Sequence, residues 1–137
     1  MERIQGLKEY VQTEHYLEGI GIGKEEQKEI QIAYQPLAQG EYNINYWFVH
    51  PLTGKKLVLR VNTGSQMHLE HQIEYEYHAL EILQESGRTP RPVFVDGSKE
   101  HLPYGVMVME FLEGEALDYR KDLSLAAECL ADIHSVP

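Results

Sequence analysis

One long amphipathic stretch, residues 65–86, stands between two sets of β-like segments, and this placement constrains the fold more than any other feature of the sequence. Gly64 and Ser65 mark its start, and Gly87 its end, with Pro90 and Pro92 beyond, the punctuation of a helix that cannot continue. Three β-rich stretches come before it, at 30–37, 42–50 and 56–62, the last two joined by the turn Pro51-Leu52-Thr53-Gly54. Two more follow, at 92–96 and 104–112. A helix joining the third and fourth strands has to cross a face of the sheet. The order therefore predicts an α+β unit with a five-stranded antiparallel sheet and a helix packed on it. The stretch 104–112 is apolar on both faces and belongs at the centre of that sheet; Leu57, Leu59 and Val61 share one face.

The flanks are helical. Ile4, Leu7, Val11 and His15 recur at helical spacing and predict a helix near 3–17. Gly19, Gly21 and Gly23 follow; without a preceding strand or a following apolar helix they read as a flexible connector and not as a phosphate loop. Leu123, Ala126, Ala127, Leu130 and Ile133 predict a closing helix near 123–134. The chain thus divides into an extension at 1–29, the sheet unit at 30–117, and a linker with a first further helix at 118–137.

Composition narrows the setting. In 137 residues the chain carries 12 Lys and Arg against 22 Asp and Glu, a formal net charge of −10, which speaks against a nucleic-acid-coating role resting on a cationic footprint. One cysteine, Cys129, excludes an internal disulfide framework. The absence of a secretory leader or a long apolar run completes the expectation of a cytoplasmic protein that crosses no membrane.

The central helix holds a chemical anomaly. Leu69, Ile73, Leu80 and Leu83 form its apolar stripe, and Glu76 lies in the same stripe. A carboxylate turned toward a core needs a cation or hydrogen-bond donors. Arg60, in Leu57-Val58-Leu59-Arg60-Val61, offers one from the neighbouring strand. Periodicity alone leaves two readings open: a part-buried Arg60–Glu76 pair, or two solvated charges on exposed faces. Gly40 sits between two strands, where a glycine-containing hairpin can turn backbone N–H groups toward phosphate oxygens or simply make a turn.

Glycine hairpin, strand with an enclosed cation, helix with an inward Glu, and a strand ending Met109-Glu110-Phe111-Leu112-Glu113-Gly114 come in the order of a kinase amino-terminal lobe. The sequence resembles the aminoglycoside phosphotransferase and choline kinase-like family over roughly 33–137, through the stretches 37–48, 57–62, 74–83, 105–117 and 130–134. The resemblance implies a kinase-like lobe that binds ATP with Mg²⁺, with weak or absent binding in the isolated chain. The Gly40 loop, with Glu41 and Asn43, would cover the nucleotide phosphates. Arg60 would stand where kinases usually carry a lysine on the α- and β-phosphates, held by Glu76. Met109 would line the back of the adenine pocket, and the Glu110 carbonyl and Leu112 N–H would read the adenine edge. His134 matches a structural position.

The family's catalytic loop and metal-binding Asp would lie in a second lobe, and no Asp-x-x-x-x-Asn signature follows Leu112. The expectation is therefore a nucleotide-binding lobe without catalytic residues of its own, inactive alone. A small hydroxyl-bearing acceptor would be bound by the other lobe, and the uncovered cleft side would promote self-association. Two other readings stand beside it: a non-catalytic nucleotide- or protein-binding module with this fold, and an unrelated α+β domain in which Arg60 and Glu76 are structural. His68, His71 and His78 share the central helix, but without a metal-binding motif they read as a solvated polar face.

Overall fold

The structure is a computed structural model describing residues 4–37, 43–63, 72–87, 89–100, 102–112 and 131. Its centre is a five-stranded antiparallel sheet built from β1 (Gln35–Pro36), β2 (Asn43–Val49), β3 (Lys56–Asn62), β4 (Pro92–Asp96) and β5 (Gly105–Glu110). The strands lie in the order β1-β2-β3-β5-β4. The turn at 51–54 sets the β2–β3 register. Gly54 takes the left-handed conformation at φ 73°, and the pairing begins at Val49 opposite Lys56. His50 locks the turn: its Nδ1 accepts the backbone N–H groups of Leu52 and Thr53 at 3.1 and 3.3 Å. An Nδ1 that accepts twice carries no proton, so Nε2 holds it and donates to the Ile20 carbonyl at 2.7 Å.

β5 occupies the centre-right of the sheet between β3 and β4, and its apolar residues face cores on both sides. One core combines Tyr46, Phe48, Leu57, Leu59, Val61, Val106 and Val108. The other combines Val58, Met107 and Met109 with Ile73. The period of two along β3 thus divides Leu57, Leu59 and Val61 from Val58 and Arg60.

Helix α3 (Gln72–Ile82), continued by a 3₁₀ turn at Leu83–Ser86, packs over β4 and β5. Gly87 closes it at φ 66°, a left-handed cap that glycine adopts without strain. Ile73 is buried, and Tyr77 and Leu80 pack beside it against the second core. Leu83 is half-buried, while Leu69 and the predicted first turns at 65–71 lie outside the described residues. So do the predicted closing helix, apart from Ala131, which is helical, and Cys129.

The other face is covered by the start of the chain. The single helix expected near 3–17 is instead two short ones, α1 (Leu7–Tyr10) and α2 (Glu14–Gly19). Thr13 causes the break: its hydroxyl donates to the Tyr10 carbonyl at 2.7 Å and accepts the Tyr16 N–H at 3.3 Å, closing one helix and capping the next. Leu7, Tyr10, Tyr16 and Leu17 enter the first core. The Gly-Ile-Gly-Ile-Gly run is not a flexible connector, because Ile20 and Ile22 are buried in the same core, and Gly19 lies against the Phe94 ring. The segment 30–37, expected as a full strand, pairs only at its end, at Gln35–Pro36 and through the Leu37 N–H, which donates to the Asn45 carbonyl at 3.0 Å. Ile30, Ile32 and Tyr34 still alternate inward against the core. Their alternation therefore reports burial and not strand pairing.

Candidate functional site

The open end of the α3-side face carries a row of polar groups. β2 and β3 pair Asn43 with Asn62 and Asn45 with Arg60, and these residues share the face of Val58. Asn62 Nδ2 donates to Asn43 Oδ1 at 3.1 Å. Arg60 extends toward α3, where its Nη1 donates to Glu76 Oε2 at 3.2 Å. The two side chains are 29% and 25% exposed, so the pair is neither fully solvated nor sealed from water. Of the two readings left open by periodicity, the part-buried pair is the one the structure contains.

Further groups orient this pair. Arg60 Nε donates to Asn45 Oδ1 at 3.1 Å. Gln72, one turn before Glu76, donates from Nε2 to Glu76 Oε1 at 3.3 Å. A carboxylate only accepts, so the Gln72 amide nitrogen has to face Glu76. Its carbonyl oxygen is then buried and meets no donor among the described residues. Neither Asn45 nor Gln72 figured among the sequence candidates. Asn45 could have been found by counting four residues away from the turn along each strand from the Val49–Lys56 pair.

The far end of the same face is apolar and aromatic. Met109 is buried beside Val58, with Phe111 packed against that core. Phe111 in turn meets Trp47 at 6.2 Å between ring centroids, and Lys56 Nζ lies 5.5 Å from the Trp47 ring. Beyond β5 the chain stays tied for one more residue: the Glu110 N–H donates to the Arg91 carbonyl at 2.9 Å, and the Phe111 N–H to the Lys56 carbonyl at 3.1 Å. Leu112 is half-exposed, and its N–H bonds to no described residue. Of the eight residues singled out in the sequence, Asn43, Arg60 and Glu76 gather at the polar end, and Met109, Glu110 and Leu112 at or just past the apolar end. Gly40 and Glu41 lie outside the described residues.

A second polar cluster sits on the opposite face, where Asp96 is almost fully buried. Its Oδ2 accepts from the Tyr10 hydroxyl at 2.6 Å and lies 3.3 Å from His15 Nε2. Its Oδ1 accepts from the Ser98 hydroxyl and N–H at 2.7 and 3.0 Å. Burial pushes the Asp96 carboxyl up, but the hydrogen bonds from Tyr10 and Ser98, with His15 nearby, outweigh it and hold the group below the usual carboxylate range. Burial and the Asp96 carboxylate hold the Tyr10 phenol far above its ordinary value. Through this carboxylate Tyr10 and His15 tie α1 and α2 to β4, while Ser98 closes the turn that follows the strand. Of the histidines on α3, His78 is exposed and pairs with Glu81 at 3.0 Å, while His68 and His71 are outside the described residues.

A part-buried pair of strand Arg and helix Glu beside an apolar strand end is what the resemblance to a kinase lobe implies; the comparisons bear on the family and the fold. The sequence profile of the phosphotransferase enzyme family matches residues 33–137. The chain belongs to that family. A crystal structure from Ralstonia eutropha JMP134, provisionally named an aminoglycoside phosphotransferase, superposes with a TM-score of 0.56 at 18% identity. The match covers 81% of this chain and 29% of that one, so the family member described here spans less than a third of its structural neighbour's length. No curated protein matches the chain. The kinase-like fold and the α+β class expected from the order of elements are thereby established.

Proposed function

We propose that this chain is the nucleotide-binding lobe of an ATP-dependent small-molecule phosphotransferase, acting with a second lobe that supplies the catalytic base and binds a small hydroxyl-bearing acceptor. The observation that carries this reading is the Arg60–Glu76 contact at 3.2 Å, on the sheet face that also presents Met109 and leads to the open Leu112 N–H. The guanidinium is a suitable group for phosphate oxygens: it is permanently charged, part-exposed, and, among the described residues, has N–H groups left after Glu76 and Asn45 have taken theirs. The apolar end would take the base. Met109 would back it, and the Glu110 carbonyl and Leu112 N–H would pair with its edge.

Bound ATP would supply the transferable phosphoryl group. Arg60 would neutralise charge on the phosphates, and Glu76 would keep Arg60 aimed during the transfer. The lobe's contribution is positioning and electrostatic stabilisation, not proton transfer. No three His, Cys, Asp or Glu side chains gather as a metal site among the described residues. No helix among the described residues is long and apolar enough to cross a membrane, which accords with a proposed place in the cytoplasm.

The test is titration of the 137-residue chain with ATP, followed by NMR. Shifts grouped at Arg60, Met109 and Leu112, and lost in Arg60→Ala, are expected, without phosphotransfer to any acceptor. ATP shifts scattered elsewhere would favour the binding-module reading. Light scattering on the same samples tests the proposed self-association through the uncovered cleft side.

A further inference from the structure

Resting on the reading of Arg60 as the phosphate-facing cation, the geometry points to Asn45 as the residue that positions it. Most cations that do this work in kinases are lysines, whose ammonium is a point charge needing one partner to hold it. An arginine is different: its guanidinium is a plane with five N–H groups, and one contact leaves that plane free to turn about the bond to the partner. Here two contacts from two different elements define the plane. Glu76, on α3, takes an Nη1 hydrogen, and Asn45, on β2, takes the Nε hydrogen. Among the described residues both Nη2 hydrogens and one on Nη1 remain without an acceptor, on a guanidinium whose side chain is 29% exposed. Asn45 can reach Nε because the two residues are direct cross-strand partners on one face of the sheet. The strand holds Asn45 in place whatever α3 does, whereas Glu76 travels with the helix. Asn45 therefore keeps the guanidinium oriented even where α3 shifts, and it does so only for an arginine, since lysine has no Nε donor.

This specificity supplies the test. Three properties of the 137-residue chain are measured: the Nε–Hε resonance of Arg60 and its exchange with water, binding of inorganic tripolyphosphate, and circular dichroism as a check on folding. The variants are Asn45→Ala, Asn45→Val, Arg60→Lys and the double variant Asn45→Ala/Arg60→Lys. Val is included because it favours strands and keeps the sheet if Ala weakens it. The expected result is a distinct, slowly exchanging Arg60 Hε in the parent that is lost in both Asn45 variants. Tripolyphosphate binding should weaken about tenfold in those variants, the scale of a hydrogen bond to a charged group. In the Arg60→Lys background the same Asn45 change should alter binding by less than about twofold.

An Hε signal indifferent to Asn45 would overturn the clamp. So would an equal loss of binding in the lysine background, since Asn45 would then act on the ligand by some other route. A parent chain with a protected Hε but no affinity for tripolyphosphate would refute the phosphate-facing role and the proposed function together, and leave a structural clamp as the finding.

Discussion

Removing Glu76 tests the central contact most directly. At 3.2 Å, two unit charges attract by about 5 kcal/mol at an effective dielectric constant of about 20, and by about 1.3 kcal/mol in bulk water. Desolvation and the ordering of two long side chains offset much of this. Exposed pairs retain about 0.2–1 kcal/mol, and breaking a fully buried pair costs about 3–5. With the Arg60 and Glu76 side chains about three-quarters enclosed, and with Asn45 still holding Nε after the change, Glu76→Ala should cost about 1–2 kcal/mol. Gln72 Nε2 loses its acceptor in the same variant and turns to water. The assay is urea unfolding of the parent, Arg60→Ala, Glu76→Ala and the double variant. The cycle removes the packing of the arginine stem from the result and isolates the pair. A coupling energy of about 1 kcal/mol is expected. Salt should trim it only slightly, because the contact is far shorter than the Debye length of about 8 Å at physiological ionic strength. A coupling below about 0.3 kcal/mol, or one abolished by moderate salt, would show that the contact is a solvated surface encounter, and the part-buried description would fail.

Four further outcomes follow from the opposite face. Tyr10→Phe removes the hydroxyl that donates to Asp96 at 2.6 Å and should cost about 2 kcal/mol in urea unfolding, as a hydrogen bond to a charged acceptor does; no loss would mean that α1 docks through apolar contacts alone. The Asp96 carboxyl is held below its ordinary range in the folded chain, so its stabilisation is complete above the unfolded value near 4 and fades as pH falls through the folded one. Asp96→Asn should therefore lower stability at pH 7 and flatten the acid limb of a stability-against-pH curve, while an unchanged acid limb would contradict the assignment. At the alkaline end the sign reverses: Tyr10 is held neutral in the fold, so stability should drop above about pH 10, less so in Tyr10→Phe. Gly19→Ala places a methyl group where the Phe94 ring already sits and should cost about 1–3 kcal/mol, measurable as a lower thermal midpoint; an unchanged midpoint would show that Phe94 yields freely.

Local chemistry made much of this lobe readable before its fold was known. The period of two in β3, the left-handed Gly87 after α3, and the glycine turn before β3 each express a constraint within a few residues, and each appears where the sequence places it. Arg60 and Glu76 stood out for the same reason, as charges at positions their own segments mark as enclosed. What the sequence could not decide were relations between segments distant along the chain. The alternation of Ile30, Ile32 and Tyr34 foretold burial but not the absence of strand pairing, because side-chain exposure and backbone hydrogen bonding are separate conditions. The helix near 3–17 breaks because Thr13 hydrogen-bonds on both sides of itself, and the break lets Tyr10 reach Asp96, 86 positions away. The Gly-Ile-Gly-Ile-Gly run looked loose because its neighbours along the chain offer nothing to bury against; the sheet does. Asn45 became a partner of Arg60 only when the hairpin set the register. A residue's own segment determines which way it faces, and only the assembled sheet determines what it meets there.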